Sequence, residues 1–337
     1  MEPEDNRLRI FAWNPNGIRA LLKYNASGNA KGHLEDLLRD QKPDILFFPE
    51  TKGNRTVQFE TQCKLEAVFE KADPSRKWKW YWSYCDRAGR HGNAVAVAKD
   101  VVVEEVRYSL DLQDANKHEP EGRVLALKLY QRSIVPGKGL VIMGLYVPNA
   151  SSKLSRLDYK VEWLKKLRMA MDAYRNAGNS VIVIGDINVA PDMRDLCNPS
   201  GNLQTPGYSK EERDTFSWLM QAALPLDSER SEDMRTGAGY VDVWRHKNPL
   251  PYRTRKHDGV YTFWSTRSRA RERNAGWRID LVLMDRETYR EEGECVSDVM
   301  ICPDYYGSDH CPIGVEVVLT DSKQADQQLD EEESSSS

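Results

Sequence analysis

The sequence predicts an α/β fold. Short runs of apolar and β-branched residues, typical of buried strands, alternate with amphipathic helical patterns along almost all of the 337 residues. No internal repeat and no linker interrupts this alternation. Polar side chains directly follow several of the strand-like runs, as they do in α/β proteins whose sites lie at strand ends. The chain is long enough for one large α/β domain or two small ones.

Eight candidate strands are short apolar runs, each of five to eight residues. Their length distinguishes them from helices, which need ten residues or more to show a period. In chain order they are residues 8–13, 44–48, 93–98, 123–130, 140–146, 180–184, 278–284 and 313–319.

Three candidate helices have recognisable ends. Residues 32–39 stop before Pro43, and residues 154–175 end ahead of Gly178. Residues 210–223 begin with a capping box, because Ser209 is followed three positions later by Glu212.

The expected domain covers residues 8–319. A short N-terminal extension, residues 1–7, precedes it, and an acidic, Ser-rich tail, residues 320–337, follows it. The tail ends in DEEESSSS and has too few apolar residues to order itself, so we expect it to be disordered.

The formal charge of −4 is unevenly distributed. Residues 321–337 contain six acids and one lysine, so the rest of the chain is close to neutral. Residues 253–278 form a basic segment with eight Lys and Arg against two acids. Such a segment is usually a solvated loop, but interleaved aromatic residues favour a surface that contacts phosphates. The candidate contacts there are Arg267, Arg269 and Arg271.

The six cysteines form no CxxC pair and match no zinc-ligand spacing, so we expect reduced thiols in the core. The polar first residues resemble neither a secretory signal nor a transit peptide, and no segment resembles a membrane span. These observations predict a nuclear or cytoplasmic protein without a membrane partner.

Polar residues that suit catalysis recur where the predicted strands end. They are Asn14, Asn16, Glu50, Tyr146, Asn149, Asp186 and Asn188. Strand ends in α/β sheets share one rim, so these groups are expected in one cleft. Asp309 and His310 precede the last strand, and Asp280 interrupts another apolar run, where pairing with His310 would satisfy both side chains.

This set contains what hydrolysis of a phosphodiester needs, namely oxygen ligands for a hard cation, a base for water, and donors to phosphate oxygens. The sequence has no P-loop, HExxH or GxSxG motif. Each residue alone also has an ordinary explanation as a turn former or a surface ion pair.

Eight segments resemble the ordered signature of the exonuclease III family of abasic-site endonucleases. They are WNPNGIRA (13–20), PETK (49–52), EGRV (121–124), YVPNA (146–150), GDINVA (185–190), TFW (262–264), GWRID (276–280) and GSDHCP (307–312). The resemblance extends from about residue 8 to residue 319. GDxN and SDH occur across the wider endonuclease/exonuclease/phosphatase superfamily, whereas NGIRA, ETK, YVPNA, TFW and GWRID together are much more specific.

The resemblance implies a four-layered α/β sandwich, in which two mixed β-sheets lie face to face between helices. It also implies a Mg²⁺ site, with Mn²⁺ as a substitute ion. Glu50 would be the principal metal ligand, with Asn16 and Asp309 nearby. Asp186 would orient or deprotonate the attacking water, supported by Asn188.

The other motif residues also acquire roles from the resemblance. His310, held by Asp280, would donate to a phosphate oxygen, as would Asn149 and Tyr146, and Asn14 would belong to the same network. The pocket for a sugar without its base would be lined by Phe263, Trp277 and Ile279, with Trp264 left to the core.

The implied activity is hydrolysis of DNA on the 5′ side of abasic sites, with 3′-phosphodiesterase and 3′→5′ exonuclease activity at the same site. The implied substrate is double-stranded DNA with abasic sites or blocked 3′ ends, bound by a monomer. One alternative is a superfamily phosphodiesterase for RNA, nucleotides, phosphoinositides or other nucleic-acid ends, which GWRID and TFW disfavour. Another is a non-catalytic DNA-binding or scaffold protein. The presence of Glu50, Asp186 and His310 together disfavours it, because such a protein would have no need to keep them.

Overall fold

The structure, a computed structural model, describes residues 6–26, 33–53, 55–114, 117–221, 239–249, 259–289 and 294–320. Its strands are β1 (Arg7–Ala12), β2 (Ile45–Pro49), β3 (Trp78–Ser83), β4 (Asn93–Ala98), β5 (Val103–Arg107), β6 (Val124–Leu129), β7 (Gly139–Tyr146), β8 (Asn179–Asp186), β9 (Tyr240–Asp242), β10 (Asp280–Asp285), β11 (Val296–Ile301) and β12 (Ile313–Val318). Its helices are α1 (Ile18–Ala26), α2 (Leu34–Gln41), α3 (Gln58–Ala72), α4 (Leu157–Asn176), α5 (Lys210–Met220), α6 (Val243–Lys247) and α7 (Arg286–Tyr289).

These strands form two six-stranded sheets. The first has the order β11-β12-β1-β2-β4-β3, and the second has the order β5-β6-β7-β8-β10-β9. The central pair of each sheet, β1 with β2 and β7 with β8, is parallel, and the other neighbours are antiparallel. Helices α1 to α3 cover the outer face of the first sheet, and α4 and α5 cover that of the second. This arrangement is the predicted four-layered α/β sandwich.

The core between the sheets is built from alternate residues of each strand. Along β2, Ile45 and Phe47 face the second sheet, whereas Leu46 and Phe48 face the helices, because successive side chains of a strand point to opposite faces. All of β2 is buried, which explains its continuous apolar sequence. A Cβ on Gly144 of β7 would lie 1.9 Å from Cδ1 of Phe47, so the glycine leaves room for that ring between the sheets.

The outer layer on the second sheet is mainly α4. Its residues Trp163, Leu164, Leu167 and Met171 are buried against side chains of β7 and β8. Repeats of three and four residues bring these side chains to one face of the helix. The helix therefore covers the parallel pair whose carboxyl ends carry the predicted polar residues.

All eight candidate strands are present, and their ends lie within two residues of the prediction. The prediction missed β3, β5, β9 and β11, which are the four edge strands of the two sheets. An edge strand is covered less completely than a central one, so its sequence is a weaker apolar run. The strand predicted from residue 278 begins at Asp280, which therefore starts the strand and does not interrupt it.

The candidate helices are also present with shifted ends. The first begins at Leu34, with His33 at the N-cap position, where its backbone N–H donates to Oδ2 of Asp36 at 2.9 Å. Gly32 lies outside the described residues. Residues 152–154 form a separate 3₁₀ turn, so α4 begins only at Leu157. The capping box at the start of α5 is confirmed, and residues 222–223 lie outside the described chain. The helices α1 and α3 were not predicted.

None of the six cysteines forms a disulfide, and all six lie in the described part of the chain. Cys63 is exposed, so the expectation that every thiol lies in the core is wrong for this residue. Among the described helices, none has both the length and the apolar character needed to span a membrane. The expected tail and most of the N-terminal extension fall on residues 321–337 and 1–5, outside the described residues.

Candidate active site

Four strand ends meet at one mouth of the sandwich. Loops after β1 and β2 come from the first sheet, and loops after β7 and β8 come from the second. Because each pair is parallel, both of its carboxyl ends lie at the same edge. They enclose a cavity of about 430 Å³, lined by Asn16, Glu50, Tyr146, Asn149, Asp186, Asn188, Thr205, Pro206, Gly207, Phe263, Ser265, Trp277, Ile279, Asp309 and His310. Every predicted catalytic, metal and pocket residue therefore lines the cavity, except Asn14 and Asp280, which are bonded to residues that do.

Asp186 is the centre of the hydrogen-bond network that joins the two sheets. Its Oδ2 accepts from Nδ2 of Asn14 on the β1 loop at 2.9 Å and from Nδ2 of Asn188 at 3.2 Å. Its Oδ1 accepts from the backbone N–H of Asn188 at 2.9 Å. The carboxylate is thus fixed from both sheets, and its orientation in the cavity is set before any substrate arrives.

His310 is held by Asp280, as the sequence predicted. Its Nδ1 donates to Oδ2 of Asp280 at 2.8 Å, and its Nε2 lies 3.9 Å from Oδ2 of Asp186. The hydroxyl of Thr262 donates to the same Oδ2 of Asp280 at 2.6 Å. These bonds fix the imidazole ring with Nε2 directed towards the cavity.

Burial and charge act against each other in this network. Burial lowers the pKa of His310, but the carboxylates of Asp280 and Asp186 outweigh it and raise that pKa to about 10. Burial raises the pKa of Asp186, and the charge on Asp280 raises it further. Asp186 is therefore a stronger base than an exposed aspartate, and His310 stays a cationic donor.

Glu50, Asn16 and Asp309 form an oxygen-rich cluster beside Asp186. Nδ2 of Asn16 donates to Oδ2 of Asp309 at 3.0 Å. The Lys52 ammonium contacts Oδ1 of Asn16 and lies 3.2 Å from Oε1 of Glu50. One amide oxygen and one carboxylate oxygen of the cluster thus already contact a positive charge, and such oxygens are the ligands that a hard divalent cation takes. These residues fit Mg²⁺ or Mn²⁺.

A second group of possible ligand atoms lies deeper in the site. Atoms of Asp186, Asp280 and His310 all lie within 4.8 Å of one another. Two of these three residues, His310 and Asp280, are already hydrogen-bonded to each other. In addition, a cationic imidazole repels a metal ion. We therefore interpret this group as a proton network, which leaves Glu50, Asn16 and Asp309 as the residues that could hold a metal ion.

Three site residues have left-handed backbone conformations. The φ angles are 46° for Asn16, 56° for Glu50 and 54° for Asn188. Such conformations cost about 1 kcal/mol or more for residues other than glycine and persist only where surrounding contacts impose them. Here the N–H of Gly17 donates to the Glu50 carbonyl at 3.0 Å, and the N–H of Asn16 donates to Oδ1 of Asn14 at 2.8 Å.

Tyr146 faces Glu50 and is supported from behind by Arg123. Burial raises the pKa of Tyr146, and the charges on Glu50 and Asp186 raise it further, so the phenol remains a donor. The buried guanidinium of Arg123 lies 4.6 Å from the ring centroid of Tyr146, and its Nη1 donates to the Tyr146 carbonyl at 3.0 Å. Arg123 is in turn paired with Glu121 through Nε at 2.7 Å. The EGRV segment therefore positions Tyr146.

Asn149 and Asn188 form a chain of side-chain amides that ends at Asp186. Nδ2 of Asn149 donates to Oδ1 of Asn188 at 3.0 Å, and Nδ2 of Asn188 donates to the Val147 carbonyl at 2.9 Å. An amide nitrogen has two hydrogens, so Asn149 retains one donor. Asn149 lines the cavity, where that donor is available to a ligand oxygen.

Phe263, Trp277 and Ile279 form the apolar side of the cavity. Phe263 and Trp277 exchange two backbone hydrogen bonds of 2.9 Å, which places both rings on one short ribbon. The Phe263 ring lies 4.9 Å from the His310 ring, centroid to centroid. Trp264 is buried in a separate cluster, as predicted. The apolar wall is therefore in direct contact with the proton network.

The basic segment differs from the prediction. Arg267 and Arg269 are exposed, but Arg271 donates to the carbonyls of Ser308, Pro303 and Tyr305, and its guanidinium lies over the Trp264 ring. Three of its five N–H donors are thus used within the protein, so fewer remain for the predicted phosphate contact.

Arg278, also counted in this segment, is fully buried in an ion pair with Asp195 and Asp242. Arg253, Arg255 and Lys256 lie outside the described residues.

Sequence reasoning missed several residues of the site. Lys52 and Thr262 lie within the quoted motifs PETK and TFW, so the motifs themselves could have indicated their positions beside Glu50 and Asp280. Residues 205–207 also line the cavity, although none of the quoted motifs contains them. Their place depends on a loop that folds back over Asn188 and is bonded to Glu212, a residue that the sequence indicated only as part of a helix cap.

The arrangement is that of a phosphodiester hydrolase. One carboxylate can accept a proton. An imidazolium, a phenol and an amide can donate to anionic oxygens, and an oxygen cluster suits a hard cation. The described part of the site has no cysteine or serine nucleophile paired with a base in this cavity. Direct attack by water is the chemistry that these groups support.

Comparison with known proteins agrees with this class. The endonuclease/exonuclease/phosphatase family matches residues 13–310. An exodeoxyribonuclease of Bacillus subtilis is 29% identical over 306 residues, which cover 91% of this chain and 98% of that protein. A DNA-(apurinic or apyrimidinic site) endonuclease of Dictyostelium discoideum is 30% identical over 322 residues, which cover 94% of this chain and 72% of that protein.

The fold is also found among solved structures. The crystal structure of an AP endonuclease from Leishmania major superposes with a TM-score of 0.70 at 24% identity, covering 94% of this chain and 89% of that one. The chain belongs to the exonuclease III family of AP endonucleases, within the endonuclease/exonuclease/phosphatase family.

Proposed function

We propose that this protein is a Mg²⁺-dependent DNA repair endonuclease that hydrolyses the phosphodiester on the 5′ side of abasic sites. The same site would remove blocking groups from 3′ ends and act as a 3′→5′ exonuclease. The observation that carries the proposal is the apolar wall of Phe263 and Trp277 in direct contact with the proton network. Such a wall suits a sugar that lacks its base and stands beside a reacting phosphate.

In the proposed reaction, water attacks phosphorus and transfers a proton to Asp186. The bond between phosphorus and the 3′ oxygen breaks, and the departing oxygen takes a proton from solvent to become a 3′-hydroxyl. The phosphate stays on the 5′ carbon of the abasic sugar, and Asp186 returns its proton to solvent. His310, Tyr146 and Asn149 donate to the phosphate oxygens on which negative charge develops. A divalent ion held by Glu50, Asp309 and Asn16 would supply additional positive charge near those oxygens.

Selection of the damaged nucleotide would depend on two physical effects. An abasic nucleotide rotates out of a duplex easily, since it has no base pair and little stacking to lose. Phe263, Trp277 and residues 205–207 line part of the cavity, which has a volume of about 430 Å³. A sugar that still bears a base would have to displace these groups.

The proposed unit of action is a monomer in a reducing compartment such as the nucleus or the cytoplasm. The proposed reaction uses only side chains that a single copy of the chain supplies, which supports the first part. Six cysteines without a disulfide support the second.

The test is a substrate panel. A duplex with an abasic analogue, a duplex with a recessed 3′ end, an RNA of the same sequence and an inositol phosphate are each incubated with Mg²⁺, with Mn²⁺ and with a chelator. We expect metal-dependent incision 5′ to the analogue to be the fastest reaction. Faster hydrolysis of the RNA or the inositol phosphate would instead support the alternative phosphodiesterase.

A further inference from the structure

A fully buried ion pair lies behind the cavity, outside the set of residues assigned above. Nζ of Lys160, on α4, donates to Oε1 of Glu212, on α5, at 2.5 Å, and both side chains have 0% of their surface exposed. Two charges withdrawn from water lose several kcal/mol of hydration each, and an apolar pair of similar volume is often equally stable. The stability of the fold is therefore a poor explanation for these two residues.

The lysine end of the pair reaches the catalytic loop. The Lys160 ammonium also donates to the backbone carbonyl of Asn188 at 2.6 Å. Asn188 has a left-handed backbone, and its N–H and side chain both bind Asp186. The ammonium thus holds in place the peptide that orients the proposed base.

The glutamate end reaches the wall of the pocket. Both carboxylate oxygens of Glu212 accept from the N–H of Gly207 at 2.9 Å, and Oε2 also accepts from the N–H of Ser209 at 3.0 Å. Gly207 lines the cavity, with a φ of 93°. A Cβ at this position would lie 3.1 Å from the Asn188 carbonyl and 3.4 Å from the Trp277 ring, so the two loops and the pocket wall are in close contact.

We propose that Lys160 and Glu212 are positioning residues that fix the pocket wall at residues 205–207 relative to the catalytic loop at residues 186–190. The inference rests on the proposed function, since it concerns the fit of a sugar without a base. Lys160 controls the loop that carries Asp186 and Asn188. Glu212 controls how closely Gly207 approaches Trp277, and thereby the depth available to the sugar.

An ordinary alternative is that the pair only ties α4 to α5. The structure contains a matched control for this alternative, because Arg168 ties the same two helices farther along. Its Nη1 donates to the carbonyls of Leu219 and Gln221, each at 2.6 Å, and its Nε pairs with Asp172 at 2.6 Å. None of these residues lines the cavity. Removing Arg168 should loosen the helices without moving either loop.

The experiment compares Lys160→Met, Lys160→Arg, Glu212→Gln and Arg168→Met in the full chain. Thermal unfolding is measured for each, together with kcat and KM on the abasic-analogue duplex and the rate of nucleotide removal from a recessed 3′ end. We expect Lys160→Met to lower kcat on both substrates by about tenfold to a hundredfold, because small displacements of a catalytic group have effects of this size. Lys160→Arg, which keeps the charge and the donors, should restore part of this loss.

Glu212→Gln keeps one acceptor for the loop and should mainly lower the ratio of abasic incision to nucleotide removal, by several-fold. Arg168→Met should lower the unfolding temperature and leave that ratio unchanged. The inference is overturned if Glu212→Gln retains the wild-type ratio or if Arg168→Met changes it equally. Should Lys160→Met fail to fold, Glu212→Gln still decides the matter. A wild-type enzyme that does not incise the abasic analogue would instead refute the proposed function, which separates the two failures.

Discussion

At the scale of single residues, the site depends on side chains whose neighbours leave them one conformation. Asp186 receives hydrogen bonds from Asn14 on one sheet and Asn188 on the other. Glu50 and Asn188 have left-handed backbones, which persist only where surrounding contacts impose them. Substitutions that keep shape but change charge are therefore the most informative at these positions.

Asp186→Asn should lower kcat by about 10²- to 10⁴-fold, the usual contribution of a general base. The amide keeps the shape of the side chain but cannot take a proton from water. Single-turnover cleavage measures the rate, and titration of uncleaved duplex in the presence of chelator measures binding. We expect binding to be retained. A loss of affinity as large as the loss of rate would show that Asp186 is needed for the shape of the site.

Glu50→Ala should raise the Mg²⁺ concentration needed for half-maximal activity by at least about tenfold. Among the assigned ligands only the Asp309 carboxylate would remain, together with the neutral amide of Asn16. Activity is followed across a Mg²⁺ titration at constant ionic strength, with Glu60→Ala, an exposed carboxylate on α3, as the control. Identical titrations of Glu50→Ala and wild type would place the ion elsewhere.

At the scale of elements, the sequence predicted what short-range patterns can encode. Central strands such as β2 are buried on both faces and give unbroken apolar runs. The edge strand β11 is mostly exposed or half-buried, so its sequence is not an unbroken apolar run and the strand was missed. Residues at the ends of central strands were predicted because parallel strands share an edge. Gly207 was not predicted as a site residue, because its position depends on tertiary contacts. It is bonded to the Glu212 side chain, which in turn is paired with the buried Lys160 on another helix. The carbonyl partners of Arg271 were not predicted, because a count of charges does not reveal them.

The ribbon that joins Phe263 to Trp277 provides a prediction at this scale. Removing either ring enlarges the pocket, so the close fit to a sugar without a base is lost, while the proton network remains. Phe263→Ala and Trp277→Ala should each slow abasic incision relative to removal of ordinary nucleotides from a 3′ end by about tenfold. Both rates are measured on matched duplexes, with Trp218→Ala, an exposed tryptophan on α5, as the control. An unchanged ratio in both pocket variants would refute the pocket assignment.

At the scale of the whole molecule, the charge of −4 says little about DNA binding, because the charge is unevenly placed. Arg267 and Arg269 are exposed near the cavity, where Ser265 already forms part of the rim. Binding to the duplex would then depend on a few local cations.

Replacing Arg267 and Arg269 with Ala should weaken binding to all duplexes alike. The slope of log affinity against log salt should become shallower by about one for each DNA phosphate that is no longer neutralised by an arginine. The position of the cut should stay the same, since interactions with phosphates carry little sequence information. Lys165→Ala, on the exposed side of α4, is the control. A slope equal to that of the control would show that these arginines belong to an ordinary solvated loop and do not contact DNA phosphates.

The pairing of β1 with β12 has a consequence for the life of the nascent chain. Arg7 on β1 and Glu316 on β12 are separated by 309 residues, so β1 lacks this neighbour until almost all of the described fold has been made. At ribosomal rates of roughly 5 to 20 residues per second, the interval is about 15 to 60 s. His310 also emerges only at the end of this interval. A ribosome-bound intermediate would therefore carry Glu50 and Asp186 without the imidazole, and the nuclease would become active only after His310 and β12 have been made.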